Sequence, residues 1–264
     1  MDQTDRLEIV RTAMLNKVPE ITLAFWIIKI MSTTVGETGA DYLTVHIGLG
    51  TALTDGVMGI LLILSLVLQL RYRRYVPWIY WLTVVLVSIV GTQITDALTD
   101  GLDVSLNIST TVFAIILCLT FAIWYSVERT LSIHTIVTRR RELFYWAAIL
   151  FTFALGTAAG DFATEALQLG FKLGVVVFGA LIALVTLAYY FGVNAVLTFW
   201  IAYILTRPLG ASFGDLLSQA RSYGGLGLGT IVTSAVFLAI IIALVARLSI
   251  APQHRVEQAA AEEA

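Results

Sequence analysis

Nine carboxylates lie where this chain also gathers threonine and serine. They are Glu37, Asp41, Asp55, Asp96, Asp100, Asp103, Asp161, Glu165 and Asp215, half of its eighteen acidic residues. Thr33, Thr92 and Thr157 each stand four residues before one of them, one helical turn away. Carboxylate, hydroxyl and carbonyl oxygens are the ligands of hard cations. The chemistry these residues point to is therefore cation binding, with a divalent metal as the expected ion. An aspartate at a helix end has a plainer use as a cap, and the residue types alone leave both uses open for each one.

Two basic residues fall inside apolar runs, Lys29 and Arg207. Lys29 is three residues past Trp26 and is expected to snorkel to the nearby interface. Arg207 is deeper and precedes Pro208, which removes a backbone donor and is expected to make its helix the irregular one. A charge at that depth needs an internal partner. Glu37 is the favoured one, with an anionic substrate as the other reading.

The elements that carry these groups are long apolar helices. Hydrophobic residues are 58% of the 264, charged ones 13%, and mean hydropathy is +0.88. A soluble domain carries roughly 25% charged residues, so the bilayer is the expected solvent. Eight spans are expected, near 20–41, 50–70, 78–98, 106–126, 144–164, 172–192, 195–217 and 227–248. Each approaches the roughly 20 residues that a helix needs to cross the hydrocarbon. The fold class is an all-α integral membrane bundle. A polar tail is expected after Ile250.

Basic residues set the orientation. Arg6, Arg11, Lys17, Arg71, Arg73, Arg74, Arg129, Arg139, Arg140, Arg141, Arg247 and Arg255 share one side, and only Lys172 and Arg221 fall on the other. Both termini are expected in the cytoplasm of a bacterial cell, with the acidic residues on the outer face. No removable signal segment is read at the start. The single cysteine, Cys118, excludes an intramolecular disulfide framework.

The spans are ordered by an internal repeat. Phe25-Trp26, Tyr80-Trp81, Tyr145-Trp146 and Phe199-Trp200 are each followed, ten residues after the tryptophan, by Gly36, Gly91, Gly156 and Gly210. Fifteen residues after each tryptophan stand Asp41, Asp96, Asp161 and Asp215. Fifteen helical residues rise about 22 Å, so tryptophan and aspartate mark opposite ends of each odd span. The tryptophans are expected at the cytoplasmic interface. Positions +7, +11, +14 and +15 share the tryptophan's face. That stripe is expected to turn to a common axis of four parallel repeats, at 20–74, 75–129, 142–193 and 194–249, in a pseudo-fourfold or twice-twofold bundle.

This pattern resembles a bacterial family of uncharacterised membrane-anchored proteins, built from tandem repeats with two spans and a characteristic tryptophan each. The resemblance implies the fold and brings no activity. No phosphate-binding loop, catalytic triad or nucleic-acid module is visible, so no enzyme, cofactor or nucleic-acid partner is expected. The lipid bilayer and a small cation are the expected partners. The reading is a small-solute transporter or channel, with a non-transporting scaffold or sensor as the alternative.

Overall fold

The computed structural model describes residues 16–46 and 51–262, with the side chains of 40–46, 165 and 251–262 outside that set. Among the described residues it is entirely helical. The long helices are α1 (Leu23–His46), α2 (Thr51–Arg71), α3 (Pro77–Thr99), α4 (Leu106–Glu128), α5 (Arg139–Asp161), α6 (Gly170–Tyr190), α7 (Ala195–Ser218) and α8 (Thr230–Glu262). Seven of them are long and apolar enough to cross a membrane. These make the chain a multi-pass membrane protein. The remaining one, α1, is as long but carries Lys29, Ser32, Thr33, Thr34, Glu37 and Thr38, all buried.

The odd helices form the inside. The apolar stretches of α3, α5 and α7 are 61–72% buried, those of α2, α4, α6 and α8 only 11–17%. Around the centre each odd helix packs on the next, α1 on α3, α3 on α5, α5 on α7 and α7 back on α1. The ring is closed.

The even helices decorate this ring with a stagger. Consecutive helices of one repeat barely touch, whereas α2 packs on α3, α4 on α5, α6 on α7 and α8 on α1. Each outer helix thus braces the inner helix of the following repeat, and the last braces the first. Thr38 on α1 and Ser234 on α8 bring their hydroxyls to 2.6 Å across that closing contact.

The repeat motif explains why the ring closes. Each aromatic-Trp pair is edge-on within itself, at 5.1–5.4 Å between centroids. Each leading aromatic ring also meets the tryptophan of the next repeat. Phe25 lies 5.6 Å from Trp81, Tyr80 5.5 Å from Trp146, Tyr145 6.2 Å from Trp200 and Phe199 5.7 Å from Trp26. Such pairs contribute roughly 0.5–1.5 kcal/mol beyond the area they bury. The tryptophans are therefore mostly buried ring-closing residues: Trp81, Trp146 and Trp200 turn inward between the helices.

The glycines obey the same rotation. A Cβ at Gly36 would collide with Ser88, one at Gly91 with Phe153, one at Gly156 with Arg207 and one at Gly210 with Thr33. Those four partners are the +7 residues of the next repeat. Each glycine is the socket for that side chain, which is how small residues let membrane helices approach.

Two expectations about irregular segments are corrected. α7 runs unbroken through Pro208, which packs beside Gly156 and Gly160 of α5. The irregular turn falls on α5, which passes after Asp161 into a π-helical turn, Phe162–Ala166. The stretch after Ile250, expected as a frayed tail, continues α8 to Glu262.

Candidate functional site: a charged junction on the ring axis

The stagger of sockets brings the polar stripes together. Arg207 reaches from α7 past the socket at Gly156 and brings one nitrogen, Nη2, within hydrogen-bond reach of three oxygens, which share its two N–H donors. These are Glu37 Oε2 on α1 at 2.6 Å, Thr157 Oγ1 on α5 at 2.7 Å, and Thr92 Oγ1 on α3. Glu37, Thr92 and Thr157 occupy one repeat position, eleven residues past their tryptophans; α7 has Ala211 there. One side chain from every inner helix meets at this junction. Arg207 and Thr157 are fully buried, Thr92 is 1% exposed and Glu37 7%. The expected ion pair of Arg207 with Glu37 is present.

Hydroxyls tie the inner helices to one another around the junction. Thr34 donates to the Gly210 carbonyl at 3.0 Å and Thr95 to the Ala154 carbonyl at 3.1 Å. Thr33, singled out as a ligand, is turned into the Gly210 socket and bonds the Ile30 carbonyl at 2.5 Å. It is a packing residue of the ring.

Lys29 departs from expectation. It does not snorkel. It is fully buried, with Nζ 4.0 Å above the Phe153 ring and 4.3 Å above the Tyr203 ring. Among the described residues Nζ has no hydrogen-bond partner, and neither do Nε and Nη1 of Arg207. Nearer the tryptophans the hydroxyls of Tyr80 and Tyr145 are 2.5 Å apart, buried within the aromatic ring.

The aspartates of the motif lie one turn beyond the junction. Asp96, Asp161 and Asp215 each have an interaction partner, while the side chain of Asp41 lies outside the described residues. Among the described residues no three acidic, histidine or cysteine side chains are placed to hold a metal ion.

Sequence reasoning missed a second buried ion pair, at the tryptophan end. Lys17 bonds Glu142 at the start of α5, and Gln69 at the end of α2 donates to Glu142 at 3.2 Å. Lys17 also reaches the Leu70 carbonyl at 3.4 Å, so the segment before α1 is stapled to α2 and α5. Its charge balance was legible as a lysine and a glutamate near span ends, but nothing in spacing says that residues 125 apart meet. Close by, Tyr75 accepts from Trp81 Nε1 at 3.1 Å, and burial pushes its hydroxyl above its ordinary value.

A family model described as a repeat of unknown function (DUF347) matches four tandem segments, residues 24–75, 79–130, 144–192 and 198–252. The chain belongs to this repeat family. Each DUF347 segment opens beside one aromatic-Trp pair and takes in the glycine and aspartate of one motif. The units of the family are thus the units of the ring, although the helices that pack together come from consecutive repeats. No curated protein and no solved structure matches the chain.

Proposed function

We propose that the ring is a gated pathway for a small cation, with eight spans in a bacterial inner membrane, both termini in the cytoplasm and the aspartates at the outer mouth. One observation carries the reading: the guanidinium of Arg207 sits on the axis among three oxygens, one from each of the other inner helices. Arg207 is in effect a tethered cation. The carboxylate of Glu37 and the hydroxyls of Thr92 and Thr157 are hard-oxygen ligands, and a travelling cation would compete for them once Arg207 swings aside. A single carboxylate in that set suits a monovalent cation better than the divalent metal suggested by the sequence. The basic residues of the tryptophan end support the orientation.

The closed axis supports the other reading, a scaffold or sensor that transports nothing. Glycine sockets and the aromatic ring leave the junction almost without exposure. Uptake into proteoliposomes with a panel of monovalent and divalent cations separates the two. Saturable flux of a cation that becomes unsaturable and unselective in Glu37→Gln supports the pathway. Absence of flux for every cation, with the protein folded, assigns the ring to the static role.

A further inference from the structure

Lys29 is the group this pathway leaves unexplained. Its ammonium nitrogen is buried with no acceptor among the described residues, between two aromatic faces, in the same ring interior as Arg207. An aromatic face repays part of the cost of a desolvated cation, but three N–H donors without an acceptor remain expensive. We infer that Lys29 is the proton-exchanging group of the axis, and that cation movement through the ring is exchanged for a proton. The coupling rests on the cation pathway proposed above; the exchange of a proton at Lys29 does not.

The charges facing the site fix the argument. α1 contributes Lys29 and Glu37, α7 Arg207 and Tyr203, α5 Tyr145 and α3 Tyr80, while Arg247 of α8 is exposed. Fully charged, the junction holds two positive groups and one negative. A cation that takes the place of the Arg207 nitrogen adds a third positive charge to a desolvated space. Arg207 cannot relieve this, because a guanidinium does not deprotonate in proteins. Protonating Glu37 would make the excess worse. Of the two cations, Lys29 is the one that can give up its charge. One N–H bond breaks, the electron pair stays on Nζ, and the proton leaves to water on the side from which the cation entered. When the cation departs to the other side, Lys29 takes up a proton from that side, so one monovalent cation exchanges for one proton without net charge movement.

The chain has three lysines, Lys17, Lys29 and Lys172, so labelled-lysine NMR of the full-length protein in nanodiscs gives three side-chain signals, and Lys29→Met assigns one. The expected result is a Lys29 signal that moves reversibly between ammonium and amine positions across the physiological pH range while the other two stay fixed. A Lys29 signal that keeps one protonation state throughout overturns the proposal. Proteoliposomes carrying a pH dye read the coupling separately. Proton counterflow that disappears in Lys29→Met supports exchange. Cation flux without counterflow in the unaltered protein overturns exchange and leaves the pathway standing. With no flux at all, the NMR titration still decides the proton site, and the pathway is what fails.

Discussion

Arg207 holds three partners through one nitrogen, so the junction is sensitive to each of its charges. Removing one member of a buried ion pair strands the other, at a cost of about 3–5 kcal/mol. Glu37→Gln and Arg207→Gln are each expected to lower the yield of folded protein sharply, and the double substitution to be milder than either. Fluorescence-detected size exclusion of the three variants measures this, and strictly additive losses would count against the pair. The sockets make a second prediction at this scale. Gly210→Val forces a side chain into Thr33 and is expected to cost about 1–3 kcal/mol or more, whereas Gly59→Val on α2, with open space around it, should be tolerated. Equal thermal stability of the two variants would contradict the socket. The register of these glycines was legible, because four copies of one spacing leave no doubt about alignment. Their occupants were not. All four repeats share the pattern, so nothing in it says that a glycine receives the +7 residue of the following repeat. The Arg207–Glu37 pair was legible from charge cost alone, since two isolated opposite charges on matching stripes have few other partners. Lys29 was misjudged because snorkelling is judged from depth, and depth does not show that Phe153 and Tyr203 close over the side chain.

At the scale of helices, the inner and outer sets follow from composition. An odd helix needs small and hydroxyl-bearing residues to approach its neighbours, and an even helix needs only to face lipid along most of its girth. The stagger of outer helices onto the next repeat is the finding that sequence withheld. Connection length does not sort the partners: α3 and α4, joined by 100–105, barely touch, while α2 packs on α3 across 72–76, α6 on α7 across 191–194 and α4 on α5 across the longer 129–138. The contact of Thr38 with Ser234 tests it. Replacing both by cysteine in a Cys118→Ser background places two sulfurs where two hydroxyls lie 2.6 Å apart, close enough for a bond of about 2.05 Å after a small shift. Oxidation is expected to give an intramolecular crosslink between α1 and α8, seen as a mobility shift of the monomer. Crosslinks found only between molecules would contradict the closure of the last repeat onto the first. Pro208 was expected to make its helix the irregular one because it deletes a donor, yet α7 continues through it, packed against Gly156 and Gly160. The turn that does depart from α-geometry, Phe162–Ala166, contains no proline and had no local signal.

Across the whole molecule, four repeats of one orientation make a closed ring with a tryptophan end and an aspartate end. Reporter fusions after Arg74 and Arg141 are expected to report cytoplasm and fusions near Gly101 and Tyr223 the outside; an external signal at Arg74 would reverse the orientation. The repeat count and the ends of the ring were legible in the sequence, and the ring's closure was implied by parallel repeats of two spans. The state of the axis was not, because an open pore and a closed junction use the same stripe of residues. The proposed pathway requires that Arg207 and Glu37 together close that axis. Thr92→Cys places a thiol at the junction, in a Cys118→Ser background, and a membrane-impermeant thiol reagent applied from the aspartate end reports whether water reaches it. The account predicts no labelling while Glu37 is intact and rapid labelling once Glu37→Gln is added. Labelling at equal rates with and without Glu37, or none in either variant, would contradict it.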